Sequence, residues 1–510
     1  MKDKKESTKG IKTNYEYESL PPPRTGHSPV RYGFRLPGLN EPSKDLITVK
    51  KTISELSNVN IKNIYFQATN MNESKSLDSP SYFDDISIAS PNIFIERGNK
   101  SIFWAFIQCL DNFLGVGVYF LPYVLLQVGL IGTGILIIIA FLTCYTGILL
   151  EKCQRFLSLE SYPEIVFAAF TSTGARFLIA SIVYIHLVLN ITIYLMLLKV
   201  GVNELFFKSL QIQIPYIEFI AAFIITKLSL VLIYFDLSKL ILEVKQAAKF
   251  ICLSFLISLL GIKALFYSNE LNIKNLKLYN LNINNLIECS CIYMYCFSGH
   301  KNLPSVFKGL VKSSEYKNVL IFSYCIITIC YLHTSIVGSL LFTQVNYLVI
   351  LNIKPNWLEA VFISLFSISI SLKSVIELNA LVDGLIDSID LKKRISEGRG
   401  RGYSIDEEAE RIRSQELIIS WLLRIFIPFI AAMFIYSFKT EVYKLVCLNG
   451  GICGIIMSWI IPVVSYKKIC ESIIISNKFE LAFLNFILLL GSCILISVFI
   501  YGISSSSFLV

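Results

Sequence analysis

Eleven apolar runs of membrane-crossing length dominate the chain, and they leave it few ways to fold. They cover residues 102–126, 130–150, 177–201, 217–235, 246–268, 287–308, 319–342, 357–380, 417–437, 443–464 and 481–503. A run of about 20 apolar residues crosses the hydrocarbon of a bilayer as a helix, because a helix satisfies its own backbone hydrogen bonds where water is absent. Charged residues are only 16% of the sequence, against about 25% in a soluble domain. The expected fold class is therefore an all-α polytopic membrane protein with about eleven transmembrane helices.

The first hundred residues differ from the rest. "MKDKKESTKGIKTNYEYESLPPPRTGHSPVRYGFRLPGLN" is polar and punctuated by proline, so neither a cleaved signal nor a packed core is expected there. The expected division is a cytoplasmic, mostly disordered tail over 1–100 and a transmembrane domain over 101–510. None of the 13 cysteines lies in the tail, and most sit inside apolar runs, as small core residues do. "ECSCIYMYC", at Cys289, Cys291 and Cys296, lacks the spacing of a metal site.

Lysine and arginine orient the spans, since cytoplasmic loops hold the excess of both. The gaps after spans two, four, six, eight and ten carry Lys152 and Arg155, Lys239 and Lys245, Lys308 and Lys312, the basic stretch at 390–416, and Lys467 and Lys468. The alternate gaps are poorer, which places the N-terminus in the cytoplasm. This pattern accounts for the net charge of +9 without invoking nucleic acid. "DLKKRISEGRGRGYSIDEEAERIRSQE", residues 390–416, reads as a solvated loop, with anionic membrane lipid or a regulatory partner as the alternative. Neither the particular membrane, plasma or vacuolar, nor an oligomeric state is legible in these residues.

Two spans are interrupted. The first, "SIFWAFIQCLDNFLGVGVYFLPYVLLQVGLIG", holds Asp111, Gly115, Gly117 and Pro122 around its middle. The sixth, "LIECSCIYMYCFSGHKNLPSVF", holds Ser298, Gly299, His300 and Pro304. Such breaks free backbone groups that lipid cannot satisfy, so they persist only where they face protein or a water-filled cavity. Breaks in corresponding positions of two halves mark transporters built as inverted repeats. Five spans per repeat gives halves of about 101–268 and 287–464, with 481–503 as an appended helix. The repeat rests on interruption and topology, since the two halves share no convincing identity.

Three segments taken in order, "GVGVYFLPYVLLQVG", "SYPEIVFAAFTSTGARF" and "YCFSGHKNLPSVF", resemble the amino acid/auxin permeases, including the vacuolar and vesicular inhibitory amino acid transporters. The resemblance covers residues 101–345, and the later spans by hydropathy alone. It implies a LeuT-like five-plus-five fold with discontinuous helices one and six. It also implies secondary active transport of amino acids by alternating access, coupled to H+ or Na+ and needing no other cofactor. By the same resemblance, Gly115, Val116 and Gly117 expose backbone N–H groups to a substrate carboxylate, while Cys296, Phe297, Ser298 and Gly299 meet its amino group and side chain. The glycines also suit a small-residue packing face, and Phe297 suits a gate or plain core.

Asp111 departs from the many family members that carry Asn four residues before the first glycine; here Asn follows at 112. An ionisable group inside a span is costly and marks an ion or proton path. Asp111 and Asn112 are therefore expected at the coupling-ion site, as a proton carrier or a sodium ligand, with a structural pair between Asp111 and a lysine as the alternative. The departure makes proton coupling the preferred expectation. In span eight Ser364, Ser367, Ser371 and Ser374 form one helical stripe, and Lys373 lies one turn from Glu377 and can pair with it. Ser371, Ser374 and Lys373 join the expected ion site, with ordinary helix packing as the alternative. Tyr184, His186 and Asn190 are expected to approach the cavity from span three. His300 and Lys301 read as residues snorkelling from the end of span six.

Other classes remain to be weighed. A polytopic enzyme, such as an acyl or glycosyl transferase, needs an acid–base set at a membrane face, and His300 is the only histidine near one. A channel would give flux that does not saturate. No phosphate-cradling "GxxxxGK[ST]" motif is present to power an ATP-driven pump.

Overall fold

The computed structural model describes residues 100–157, 162–170, 172–210, 216–234, 249–261 except 252 and 259, 277–342 except 281, 346–352, 357–388, 405–438, 441–470 and 478–504. The N-terminal tail and the stretch 390–404 lie outside these residues, as does much of the expected fifth span.

Within them the chain is helical. Helix α1 (Ile102–Phe113) starts on a Ser101 cap, whose hydroxyl accepts the Trp104 N–H at 3.4 Å. The helix stops at Leu114 and Gly115, which are extended. A 3-10 turn over Val116–Phe120 then leads into α2 (Leu121–Val128), bent 46° from α1. Pro122 lies in the first turn of α2, where its missing N–H leaves no hydrogen bond unmade. Gly129 closes α2 at φ 82°, a conformation that favours glycine, and a Cβ there would lie 2.6 Å from the Lys277 carbonyl.

The next elements are α3 (Ile131–Leu157), α4 (Tyr162–Ala169), α5 (Thr173–Leu210) and α6 (Ile217–Tyr234). With 38 residues, α5 runs about 57 Å, well beyond the bilayer core. A short apolar helix, Lys249–Ser258, is what is described of the fifth span. The sixth breaks like the first: α7 (Ile283–Cys296) ends at Phe297, a 3-10 turn spans His300–Asn302, and α8 (Leu303–Gly309) carries Pro304 in its first turn. Backbone bonds from Lys100 N–H to Gly309 O, 2.9 Å, and from Val311 N–H to Lys100 O, 3.2 Å, tie the start of α1 to the end of α8.

The remaining elements are α9 (Tyr316–Leu341), α10 (Trp357–Ser388), α11 (Ile405–Phe438), α12 (Val442–Leu448), two π-helical turns over Asn449–Gly454 and Ile456–Ile460, α13 (Ile461–Ile469) and α14 (Lys478–Ser504). Residues 405–416, expected as part of a loop, instead form the first turns of α11. The acidic run Asp406, Glu407, Glu408 suits a helix start, and Glu407 precedes Arg411 by one turn.

Seven of the described helices are long and apolar enough to cross a membrane, and the bent α1–α2 pair makes an eighth. The apolar window of Val442–Ile469 is 78% buried and that of Lys478–Ile500 only 22%, so the first lies in the interior and the second at the periphery. Large apolar side chains such as Phe141, Ile430 and Leu489 are exposed on outward faces. A continuous apolar exterior around a packed interior is the surface of a protein solvated by lipid. The molecule is an all-α polytopic membrane protein.

Candidate functional site

The two breaks meet. The Tyr331 hydroxyl, from α9, donates to Phe113 O at 2.6 Å and accepts the Gly115 N–H at 3.4 Å, and it stands 3.4 Å from Cys296 O. One side chain thus satisfies backbone groups that both interruptions release, as burial in an apolar interior demands. Glycines permit the approach: a Cβ on Gly117 would run into Cys296 Sγ, and one on Gly299 would lie 2.7 Å from the Phe113 ring.

Beside the breaks is a cavity of about 90 Å³. Helix α1 and its break contribute Asp111, Asn112, Phe113 and Gly115. Helix α5 contributes His186, Asn190 and Tyr194, and α10 contributes Lys373, Ile376 and Glu377. The sixth span supplies Tyr295, Cys296, Ser298, Gly299, Lys301 and Asn302.

Two ion pairs are buried at its edge. Lys249 Nζ lies 3.1 Å from Asp111 Oδ1 and also donates to the Asp111 backbone carbonyl. Lys301 Nζ lies 2.9 Å from Glu377 Oε2, with both side chains at most 14% exposed. Lys301 therefore does not snorkel; it turns inward because a carboxylate on α10 offers it a partner at depth. The Lys373 ammonium, expected beside Glu377, is 5.4 Å from the centre of the Tyr194 ring.

A closed ring of amides surrounds His186. Its Nδ1 is 2.7 Å from Asn449 Oδ1 and its Nε2 is 3.2 Å from Asn190 Nδ2. Asn449 Nδ2 donates to Asn190 Oδ1 at 2.9 Å, and the Tyr295 hydroxyl reaches the same oxygen at 3.3 Å. This pattern is met in full by a neutral imidazole protonated on Nδ1. On the other side, Asn112 Oδ1 accepts from Asn302 at 3.2 Å, while Asn112 Nδ2, shielded from solvent, has no partner among the described residues.

Of the residues expected at a site or beside the cavity, Asp111, Asn112, Gly115, His186, Asn190, Cys296, Ser298, Gly299 and Lys373 border it. Val116 and Gly117 are buried in the 3-10 turn, and Phe297, fully buried, stacks on Tyr324 with ring centres 5.7 Å apart. Tyr184 does not border it; its hydroxyl donates to Gly384 O at 2.8 Å, joining α5 to α10. Ser371 and Ser374 do not border it either. Their hydroxyls bond back to Ser367 O and Ile370 O, each at 2.8 Å, so the helix itself absorbs their polarity. Ser367 and Ser371 line a different cavity, apolar and about 320 Å³, beside Leu198, Ile217 and Leu372. His300, the histidine an enzyme would need, is 1% exposed, with Nε2 2.9 Å from Thr143 O and 3.0 Å from Thr146 Oγ1.

Several site residues went unnoticed in the sequence. Tyr194 was findable, since His186, Asn190 and Tyr194 recur every fourth residue on one face of α5. Lys249, Asn449 and Tyr331 carry no such signal, because each reaches the site from a distant part of the chain.

An all-helical membrane bundle in which two broken helices cross beside a buried, charged cavity defines the class: a polytopic membrane protein with an internal polar site. Residues 98–506 match the model of the family described as transmembrane amino acid transporter protein, and the chain belongs to that family. Relatives in Arabidopsis thaliana include amino acid transporter AVT1C, 29% identical over 263 residues, which are 51% of this chain and 46% of that protein. Amino acid transporter AVT1B is 27% identical over 368 residues, 70% of this chain and 65% of the relative. Amino acid transporter AVT1J is 25% identical over 270 residues, 52% of this chain and 63% of the relative. The matched region thus spans between 46% and 65% of these relatives' lengths.

Proposed function

We propose that the protein carries amino acids across a membrane by alternating access, as a secondary active transporter driven by protons. The observation that carries this reading is the meeting of the α1–α2 and α7–α8 breaks beside a charged cavity, with Tyr331 between them. Interrupted helices at membrane depth are tolerated only where they face protein or a water-filled cavity, and paired breaks beside a polar cavity are the arrangement transporters use to hold a charged solute. Family membership and relatives named as amino acid transporters support the solute class.

In this reading the chain has eleven spans with a cytoplasmic N-terminus, in two inverted five-helix halves over about 101–268 and 287–464, with a further helix at 481–503. The backbone at Gly115 and the residues Cys296, Ser298 and Gly299 receive the substrate. Asp111, with Asn112 beside it, is the coupling group: its carboxylate is buried against Lys249, so taking up a proton breaks an ion pair next to the first break. A lysine ammonium already supplies the cation there, which supports protons over sodium.

The test is uptake of a radiolabelled amino acid panel into proteoliposomes under imposed proton or sodium gradients, with Asp111→Asn alongside the native protein. Saturable, proton-driven uptake, with exchange but no accumulation in the variant, is the expected result. A folded native protein that moves no amino acid would sink the proposal, and flux that fails to saturate would point to a channel.

A further inference from the structure

The apolar cavity beside Leu198, Ile217 and Leu372 plays no part in the transport reading. It holds about 320 Å³ between α5, α6 and α10, within the size range of small-molecule sites. Among the described residues its walls are aliphatic apart from Ser367 and Ser371, with no charged or aromatic side chain. Three of the lining residues, Ile220, Ile224 and Ile368, are 46%, 46% and 51% exposed, so the cavity opens on a flank of the bundle that lipid covers.

One polar atom in this wall is unsatisfied. The hydroxyls of Ser364, Ser371 and Ser374 each bond the carbonyl four residues back. Ser367 Oγ, shielded from solvent, has no hydrogen-bond partner among the described residues. Gly201 of α5 stands against it, and a Cβ there would lie 2.7 Å from that oxygen, so the glycine leaves the hydroxyl its room. A buried hydroxyl without a partner costs stability, and bare hydrocarbon cannot supply one. An occupant with an acceptor at this point can.

The walls define what that occupant is. A mouth open to the bilayer selects a molecule already dissolved there, and aliphatic walls select hydrocarbon. The donor at Ser367 needs an acceptor bonded directly to that hydrocarbon, which is what the ester carbonyl of an acyl lipid offers. We infer that the cavity between α5, α6 and α10 binds an ester-linked acyl chain of a membrane lipid, with the chain against Leu198, Ile217 and Leu372 and the ester carbonyl accepting the Ser367 hydroxyl. Ser371 and Leu372 line this site while Lys373 and Ile376 line the polar cavity, so one stretch of α10 stands between the two. A chain seated here braces that stretch.

The experiment is photolabelling of the full chain in nanodiscs, using a trace of phosphatidylcholine with a diazirine on one ester-linked acyl chain. The bulk lipid is either ester-linked phosphatidylcholine or its ether-linked analogue, which lacks the carbonyl, and labelled residues are read by peptide mass spectrometry. Labels are expected around Ile224 and Ile368, about three- to tenfold denser in the ether bulk, where nothing competes for the Ser367 hydroxyl. Ser367→Ala should remove that difference. Ala221→Phe, which fills the cavity, should remove these labels and keep those on the exposed face of α14 near Leu489. Equal labelling of the native protein in the two bulk lipids overturns the inference, as does labelling at Ile224 and Ile368 no denser than at Leu489, since either describes an ordinary lipid coat. A sterol that displaces the probe from the ether bulk at low mole fraction overturns it too, by giving the cavity to a ring system. If Ala221→Phe does not fold, the ester-to-ether comparison in the native protein and Ser367→Ala decides.

Discussion

The ammonium of Lys301 lies 2.9 Å from the carboxylate of Glu377, joining the broken sixth span to α10 inside the bundle. Both charges have left water, so each depends on the other. Removing one partner strands the other, and Glu377→Gln is expected to destabilise the protein by about 3 kcal/mol. Thermal unfolding in detergent measures this, and the double variant Lys301→Met with Glu377→Leu should recover much of the loss. A Glu377→Gln protein as stable as the native one would show that Lys301 finds another partner.

Tyr331 holds the two breaks through a single hydroxyl. Tyr331→Phe keeps the packing of the ring on Phe297 and leaves Phe113 O and the Gly115 N–H without that partner. A loss of about 1–3 kcal/mol in stability is expected, with weaker substrate binding because the α1 break is less well held. Unfolding and uptake measured on the same variant separate the two effects.

Gly117 meets Cys296 across the crossing with no room for a methyl group. Gly117→Ala is expected to destabilise by about 1–3 kcal/mol through overpacking. Because the obstruction is the Cys296 Sγ, Cys296→Ala in the same chain should relieve it. Non-additivity of the pair in unfolding measurements checks the contact, and simple addition would argue against it.

His186 has each ring nitrogen engaged by an asparagine. Such a ring organises packing between α5 and the π-helical turn at Asn449 rather than moving protons. His186→Gln should lower stability and transport amplitude, yet leave the shape of the uptake–pH curve as it was. A displaced curve would make His186 part of the proton path.

Much of the fold was legible in advance, and unevenly so. The breaks at Gly115–Gly117 and Ser298–Gly299 stood out because glycine and proline inside a long apolar run contradict the run's own propensity. Nine borderers of the cavity came from those breaks and their immediate neighbours, from Lys373, and from His186 and Asn190 in span three. In the serine stripe, Ser364, Ser371 and Ser374 each bond the carbonyl four residues back, and spacing alone does not distinguish such self-satisfied hydroxyls from a polar face. Lys301 misled: its position near a break suggested an outward reach, and only the arrival of Glu377 from α10 turned it inward.

What the residue order determined by itself was that long apolar helices belong in a bilayer and where two of them must break, because those outcomes follow from local hydropathy and backbone chemistry. What only the tertiary structure decided was which charges face one another. Asp111 with Lys249, Glu377 with Lys301, and Tyr331 with both breaks are each separated by more than 70 residues in the chain—or, for Cys296, by 35—and no local periodicity encodes them. Helix packing brings these groups to one depth, and the penalty for an unpaired charge away from water then selects the partners.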